Sequence, residues 1–561
     1  MPDRLRVRAR PLPAGAAPAG TAGTAARAAA PVGAVAAVCA VFVLAQLVLV
    51  VPGSGLGWDE TVYTSQVAAH VPAAFFSAPR ARGVSLLAAP VAGLTSSTTA
   101  LRVHLAVLSG AGLFLALRGW RRLLPAPVLA LAGGLFAGLW ITLLYGSQVM
   151  PNLWSAYGTL AATGFLLRAA RDPADRTALA GLAAAVVLVG LMRPPDAVWL
   201  VAALAAAALT LRPSRSPLLL AVLAAALLAG CAEWVIEAYV RYGGLAARLH
   251  RASAIQGGLG LHVAVDDQVR ALDGRTLCRP CDVPWRHRGD ALWWFALPFL
   301  AAGGALVARG GRRDAVRLPL LTAVAVAVPY LFTVGYAAPR FLLPAYALLA
   351  IPVAECLLWA VRGRAGRLRP GVAALVAAAL CGHLVVQGGV LLAAAGANRQ
   401  AKVREEEMAA GLHAQGVRPP CVLSGDAAVP LAFYAGCASR QTAGPDESVT
   451  VAGLLAAARR LPVAVLVAGG GRAPAYTRHW RSAALPTPPG SAAVRAWFPR
   501  RGPRPTGDRR LPAVAGPPPR AGVSRSPPPG TARGDGEAHR TGRARPDRPP
   551  PAAPRRPPGR G

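Results

Sequence analysis

Apolar residues fall along this chain in runs of similar length. Stretches rich in Ala, Leu and Val occupy 32–51, 101–117, 125–144, 153–167, 178–192, 197–211, 217–236, 291–307, 318–335, 341–361 and 371–395. A helix needs about 20 such residues to cross the ~30 Å hydrocarbon core of a bilayer. The pattern predicts a mainly α, polytopic membrane helical bundle of about eleven transmembrane helices. The first run is too long for a signal-peptide core and has no clear cleavage site behind it, so it reads as an uncleaved span. Residues 1–30 ahead of it, with Arg4, Arg6, Arg8, Arg10 and Arg27 among Ala, Pro and Gly, read as a disordered basic leader.

The polar residues between the runs set an orientation. Arg118, Arg121 and Arg122 fall between spans two and three; Arg168, Arg171 and Arg176 between four and five; Arg212 and Arg215 between six and seven. Arg309, Arg312, Arg313 and Arg317 follow span eight, and Arg362, Arg364, Arg367 and Arg369 follow span ten. Every second short loop is Arg-rich, which by the positive-inside rule predicts a multi-pass cell-membrane protein with a cytoplasmic N-terminus. The opposite, extracytoplasmic face then holds 52–100, 145–152, 193–196, 237–290, 336–340 and everything after Asn398. The transmembrane domain is thus 31–398, with long outer loops at 52–100 and 237–290. Over 399–499 the period changes: a helix at 403–415, a strand at 420–424, a helix at 427–434, a helix at 449–460 and a strand at 463–467 predict a small extracytoplasmic α/β domain. Residues 500–561 are Arg, Pro and Gly with almost no large apolar side chains, a disordered tail.

Composition narrows the function classes. The chain is 54% hydrophobic with net charge +35. The basic residues lie in short loops and the tail, not in a basic helix or an aromatic-interleaved groove, so no nucleic-acid partner is expected. Of eight cysteines, Cys39, Cys231, Cys356 and Cys381 stand in apolar runs as packing residues. Cys278 and Cys281 form an outer CxxC that reads as a small disulfide, with zinc as the alternative if His262 and His287 complete four ligands. Cys421 and Cys437 flank a strand–helix unit and are a second candidate disulfide. Gly469, Gly470 and Gly471 after a strand read as a turn, since no Lys-Ser/Thr follows. Glu355, in an apolar run, reads as paired near the arginine-rich face.

Candidate chemistry sits on the outer face. Asp59 and Glu60 follow the first span by a few residues, where a carboxylate can act as general base on an acceptor hydroxyl; the structural alternative is that both merely cap a surface helix. Arg80 and Arg82 lie in a basic turn before a half-length apolar helix containing Pro90, and Arg102 opens the second span. This order of Asp59, Glu60, Pro79, Pro90 and Arg102 resembles the polyprenyl-phosphate-dependent glycosyltransferases of the GT-C class, relatives of the protein O-mannosyltransferases, the lipid A aminoarabinose transferases and the family 39-like bacterial enzymes. The resemblance is clearest over residues 35–215. It implies a glycosyltransferase that moves a hexosyl or pentosyl group from a polyprenyl-phosphate-linked sugar, reached through membrane lipid, to an extracytoplasmic glycan, lipid or protein. Asp59 and Glu60 would be the catalytic pair. Arg80, Arg82, Arg193 and Arg340 would meet the donor phosphate, for which a guanidinium fork is suited. Tyr63, Tyr145, Gln148 and Asn152 would line the acceptor side. The class sometimes carries an acidic residue in the second outer turn; here the turn offers only Gln148 and Asn152, so a divalent metal stays unassigned and no cofactor is otherwise implied. Two other classes stay open: a transporter or lipid flippase, though no internal repeat is seen, and a non-catalytic scaffold presenting the outer domain.

Overall fold

The computed structural model describes residues 21–500 except 212–215, 259, 280, 283, 286, 364 and 365. The Arg/Pro-rich tail, most of the basic leader, and Arg212, Arg215 and Arg364 lie outside the described residues. The first helix, α1 (Thr21–Leu49), begins ten residues before the leader was expected to end. Its Ala-rich start has the highest intrinsic helix propensity, which carries the helix back past the apolar run.

Two short helices follow, α2 (Trp58–Ser65) and α3 (Gly83–Ala92), and then the long elements of the bundle. These are α4 (Thr98–Arg118), α5 (Ala126–Ala137), α6 (Trp140–Gly146), α7 (Pro151–Arg171), α8 (Arg176–Met192), α9 (Pro194–Leu211) and α10 (Ser216–Arg241). The region expected as one long loop contains α11 (Leu245–Ile255) and α12 (Val265–Arg270), after which come α13 (Leu292–Val307), α14 (Arg313–Phe332), α15 (Leu343–Arg362) and α16 (Pro370–Ala414). Among the described residues seven helices are long and apolar enough to cross a membrane, or eight if α5 and α6 count as one broken span. The chain is a helical membrane protein, and each of the eleven apolar runs lies on one of these helices or on the α5–α6 pair. α7 is not among the seven. It carries Asn152, Ser155, Thr159 and Thr163 and is buried along nearly its whole length. A helix wrapped by neighbours needs no lipid-compatible surface of its own.

Three details depart from a bundle of simple straight spans. The third run bends by 78° between α5 and α6, and the backbone N–H of Trp140 freed at the break donates to Gln387 Oε1 on α16 at 2.9 Å. Small residues let helices meet backbone to backbone: a Cβ on Gly190 of α8 would sit 2.8 Å from the carbonyl carbon of Gly230 on α10, the close approach that membrane helices favour. Finally α16 does not stop at the expected membrane boundary but runs 45 residues without a break, carrying the helix expected at 403–415 as its own last turns.

The helix leads into a sheet of five strands in the order β2-β1-β3-β5-β4. In chain order the elements are β1 (Val422–Gly425), α17 (Ala428–Ala435), β2 (Ala438–Ser439), α18 (Val451–Arg460), β3 (Val463–Ala468), β4 (Arg481–Ala484) and β5 (Val494–Phe498). β1 is parallel to β2 and β3; β5 is antiparallel to β3 and β4. One face buries Leu423, Leu466 and Ala496 with Met408 and Leu412 of α16 and Leu431 of α17. The other packs Val422, Val463 and Val465 on Leu454 of α18. The short strands β2, β4 and β5 escaped the sequence reading. Cys421 is bonded to Cys437, joining the starts of β1 and β2, and Cys278 to Cys281 in the 237–290 region.

The loop arginines gather at one end of the bundle. Arg122 and Arg168 share Asp175 at 2.9 and 2.7 Å, Arg171 donates to Gly311 O, and Arg312 pairs with Glu355 at 2.9 Å. Glu355 therefore does have a cationic partner, from the α13–α14 connection.

Candidate active site

The site is built on α2. Gly57 is its N-cap, Asp59 and Glu60 fall in its first turn, and acidic residues are favoured there by the helix dipole. Successive helix positions diverge by about 100°, so the two carboxylates face different surroundings.

Glu60 turns inward. Only 3% exposed, it meets the fork of Arg102 in a bidentate pair, Nη1–Oε1 2.5 Å and Nη2–Oε2 2.8 Å. It also accepts from Val149 N at 2.8 Å and, reaching back, from Gly57 N at 3.0 Å. Arg102 itself donates to Ser147 O at 2.9 Å and to Gly55 O. One ion pair thus ties α2, the start of α4 and the α6–α7 link together. All four acceptor positions of Glu60 are taken by protein N–H groups, whereas those of Asp59 are not enclosed in this way.

Asp59 turns outward, its side chain 38% exposed. Arg80 Nη2 lies 2.8 Å from Oδ1 and Arg340 Nη2 3.2 Å from Oδ2. Burial alone would raise its carboxyl pKa; the charges of Arg80, Arg340 and Arg193 outweigh that and hold it below the ordinary carboxylate range. Arg340 also donates to Thr276 O at 2.7 Å and Tyr145 Oη at 3.3 Å, with its cation 5.8 Å over the Tyr145 ring. Its Nε is buried and has no partner among the described residues. Arg193 stands a little back, held by Asp196 at 3.1 Å and Tyr330 Oη at 2.8 Å and placed over the Phe341 ring. Tyr63, one turn beyond Asp59, is buried edge-on against Phe76 at 5.8 Å. Its hydroxyl pKa is raised by burial, against the lowering charge of Arg80.

Other expected residues are elsewhere. Arg82 does not reach Asp59; it pairs with Glu237 at 2.6 Å and Glu233 at 3.2 Å on α10 and covers the Phe76 ring. Gln148 and Asn152 are buried in and beside the α6–α7 link, and neither amide atom of Asn152 has a partner among the described residues. Both residues flank Val149, whose backbone N–H donates to Glu60.

Several residues had gone unnoticed. Arg248 of α11, fully buried, donates to Ala78 O and Arg80 O, each at 3.1 Å, and pairs with Glu237 at 2.9 Å, clamping the segment that presents Arg80. Asp446, in the α/β domain, reaches Arg80 Nη1 at 3.2 Å and accepts from Trp58 Nε1 at 3.0 Å. No local pattern marks either one. Among the described residues no group of three or more His, Cys, Asp or Glu side chains could hold a metal ion. A cavity of about 450 Å³ opens at the seam of α4, α16 and α17, lined by residues including His70, Thr98, Lys402 and Tyr434; Asp59, Arg80 and Arg340 are not part of its wall.

No protein-family model matches the sequence, and no curated protein sequence does. The fold does have solved counterparts. The crystal structure of ArnT from Cupriavidus metallidurans bound to undecaprenyl phosphate superposes with a TM-score of 0.55 at 13% identity, covering 82% of this chain and 97% of that one. The apo structure of the same protein gives 0.54 at 14% identity, over 85% and 98%. ArnT is an aminoarabinose transferase, and the fold shared with it is the GT-C fold.

Proposed function

We propose that this chain is an integral membrane glycosyltransferase that moves a sugar from a polyprenyl-phosphate donor to an acceptor at the Asp59 face. The observation that carries the reading is Asp59 itself: a partly open carboxylate flanked by the guanidinium groups of Arg80 and Arg340, with Arg193 behind. Asp59 takes the proton of an acceptor hydroxyl as that oxygen bonds to the anomeric carbon. The bond from that carbon to the lipid phosphate breaks, and polyprenyl phosphate leaves as the anion. Charge building on the leaving oxygen is met by fixed cations, the arrangement that lowers such barriers most. An arginine has five N–H donors, and Arg340 keeps its Nε unspent. Arg80, Arg340 and Arg193 are the phosphate set in this reading, and Arg82 is left out of it. Tyr63 and Tyr145 stay as lining residues. The undecaprenyl phosphate bound in the ArnT crystal structure of like fold supports this donor class. The gathered arginines at the opposite end of the bundle support a cytoplasmic placing of that end, with Asp59 and the α/β domain outside.

The test is mass spectrometry of envelope glycans, glycolipids and glycoproteins in a deletion strain, complemented with wild type or Asp59→Asn. A sugar that disappears on deletion, returns with wild type and stays missing with Asp59→Asn supports the reading. Full restoration by Asp59→Asn sinks the assignment of Asp59. Solute transport by the purified protein in liposomes, with no sugar missing in the deletion strain, would favour a transporter.

A further inference from the structure

We infer that Asp446 is a positioning residue for the Asp59 site, so that the α/β domain supplies part of the active centre and is more than an appendage. The inference rests on the glycosyltransferase reading for its functional half and on geometry alone for its structural half.

Asp446 uses both carboxylate oxygens, and each goes to a different neighbour of Asp59. Oδ1 meets Arg80 Nη1 at 3.2 Å, and Oδ2 accepts from the Trp58 indole N–H at 3.0 Å. Trp58 is bonded directly to Asp59 in the chain; Arg80 Nη2 holds Asp59 Oδ1 at 2.8 Å. The contacts close a ring: Asp59 to Arg80, Arg80 to Asp446, Asp446 to Trp58, and Trp58 back to Asp59 through the backbone. Asp446 is 16% exposed and Arg80 11%, so water competes little for either. The ring spans 388 residues of sequence between Trp58 and Asp446. A second link parallels it, where Leu56 N donates to Tyr434 Oη of α17 at 3.0 Å; this keeps the domain seated when the ring is opened, and makes Asp446 testable by itself.

The sign of the effect separates positioning from bulk support. Replacing Asp446 removes a negative charge beside Arg80, which cannot weaken attraction for an anionic headgroup. It does free the Arg80 fork and the Trp58 ring, and a reacting group misplaced by about 1 Å costs on the order of 100-fold in rate. Sugar transfer should therefore fall while donor-lipid affinity holds or tightens. A residue that only kept the domain folded would lower both together.

The experiment uses full-length Asp446→Ala and Asp446→Glu in lipid nanodiscs. Hydrogen exchange in Asp446→Ala is expected to rise in peptides covering 57–66 and 77–83 and to stay at wild-type levels in β1 and β3. Undecaprenyl phosphate titrated into the nanodiscs should bind Asp446→Ala at least as tightly as wild type. Recovery of the missing glycan in the deletion strain should drop about tenfold or more with Asp446→Ala and return in part with Asp446→Glu. Unchanged exchange in 57–66 and 77–83 overturns the inference, as does a matched loss of lipid binding and transfer. If wild type binds no undecaprenyl phosphate, the donor reading fails instead, and the exchange measurement still decides whether Asp446 fixes the Asp59 segment.

Discussion

Glu60→Gln separates the two adjacent carboxylates of α2. Four N–H donors converge on Glu60: two from Arg102, one from Val149 and one from Gly57. Glutamine keeps the shape but offers one carbonyl oxygen, which serves two of them; its amide N–H group then opposes the other two. Arg102, 1% exposed, would be left charged and half-satisfied. Breaking a buried pair from one side costs roughly 3–5 kcal/mol, or about two to three and a half powers of ten in the folding equilibrium. Asp59→Asn breaks ion pairs too, but the Asp59 carboxylate is 38% exposed and asparagine keeps one oxygen for Arg80 or Arg340, so the cost is smaller than for the buried pair. The assay is reversible unfolding in SDS-titrated bicelles followed by far-ultraviolet circular dichroism, run on wild type and both variants. The expected order is wild type close to Asp59→Asn, with Glu60→Gln far below. A Glu60→Gln protein within about 1 kcal/mol of wild type that had nonetheless lost all sugar transfer would refute this division and return Glu60 to the chemistry.

Other outcomes follow from the same geometry. Because the Asp59 carboxyl lies below the ordinary range, it stays ionised through neutral pH, and the acid limb of the transfer-rate profile should lie below the ordinary Asp value of about 3.9. The same depression makes its contribution to stability complete above that unfolded value and lost only as pH falls through the lower folded one; an acid limb near pH 6 would contradict both statements. Arg340→Lys keeps the charge but loses the fork that spans Asp59, Tyr145 and Thr276; undecaprenyl phosphate binding in nanodiscs should weaken about tenfold, and equal binding would remove Arg340 from the phosphate set. Cys421→Ser with Cys437→Ser opens a bond across a sequence separation of 16, which should destabilise the α/β domain by about 3 kcal/mol. Limited proteolysis would show this as faster cutting after Asn398 with the bundle intact.

How much of this was readable in the sequence depends on the range over which each feature is determined. Burial in lipid is a local property of about 20 residues, so the apolar runs located the long helices. At the bend between α5 and α6, the freed N–H of Trp140 is accepted by Gln387, 247 residues further along the chain, and no window around residue 140 contains it. The continuity of α16 was hidden by the polar stretch from Asn398 to Lys402, which reads as a linker until Asn398 Oδ1 is seen accepting from Gly55 N at 2.9 Å. The arginines show the same limit. All four carry the residue type that phosphate requires, yet Arg82 is spoken for by two glutamates of α10, carboxylates that lie at the end of an apolar run and gave no sign of reaching residue 82.

The pairing of Asp59 with Arg80 and Arg340 raises a question that the charges answer. A base held by two cations is a weaker base, so the arrangement would seem to work against proton abstraction. Asp59 and Asp446 face Arg80 and Arg340, and Asp196 faces Arg193 just behind them, so three carboxylates balance three guanidinium groups. A bound lipid phosphate adds negative charge beside the same arginines. Each guanidinium it engages draws less on Asp59, and the carboxyl pKa rises toward its ordinary value. On the proposed glycosyltransferase reading, Asp59 would then become a better base only when donor is present, and an acceptor hydroxyl would meet an activated carboxylate only when there is a sugar to attack. On this argument the acid limb of the rate profile should sit at higher pH when measured at saturating donor than when extrapolated to low donor. Limbs that coincide at both donor levels would show that phosphate and Asp59 do not share the arginines.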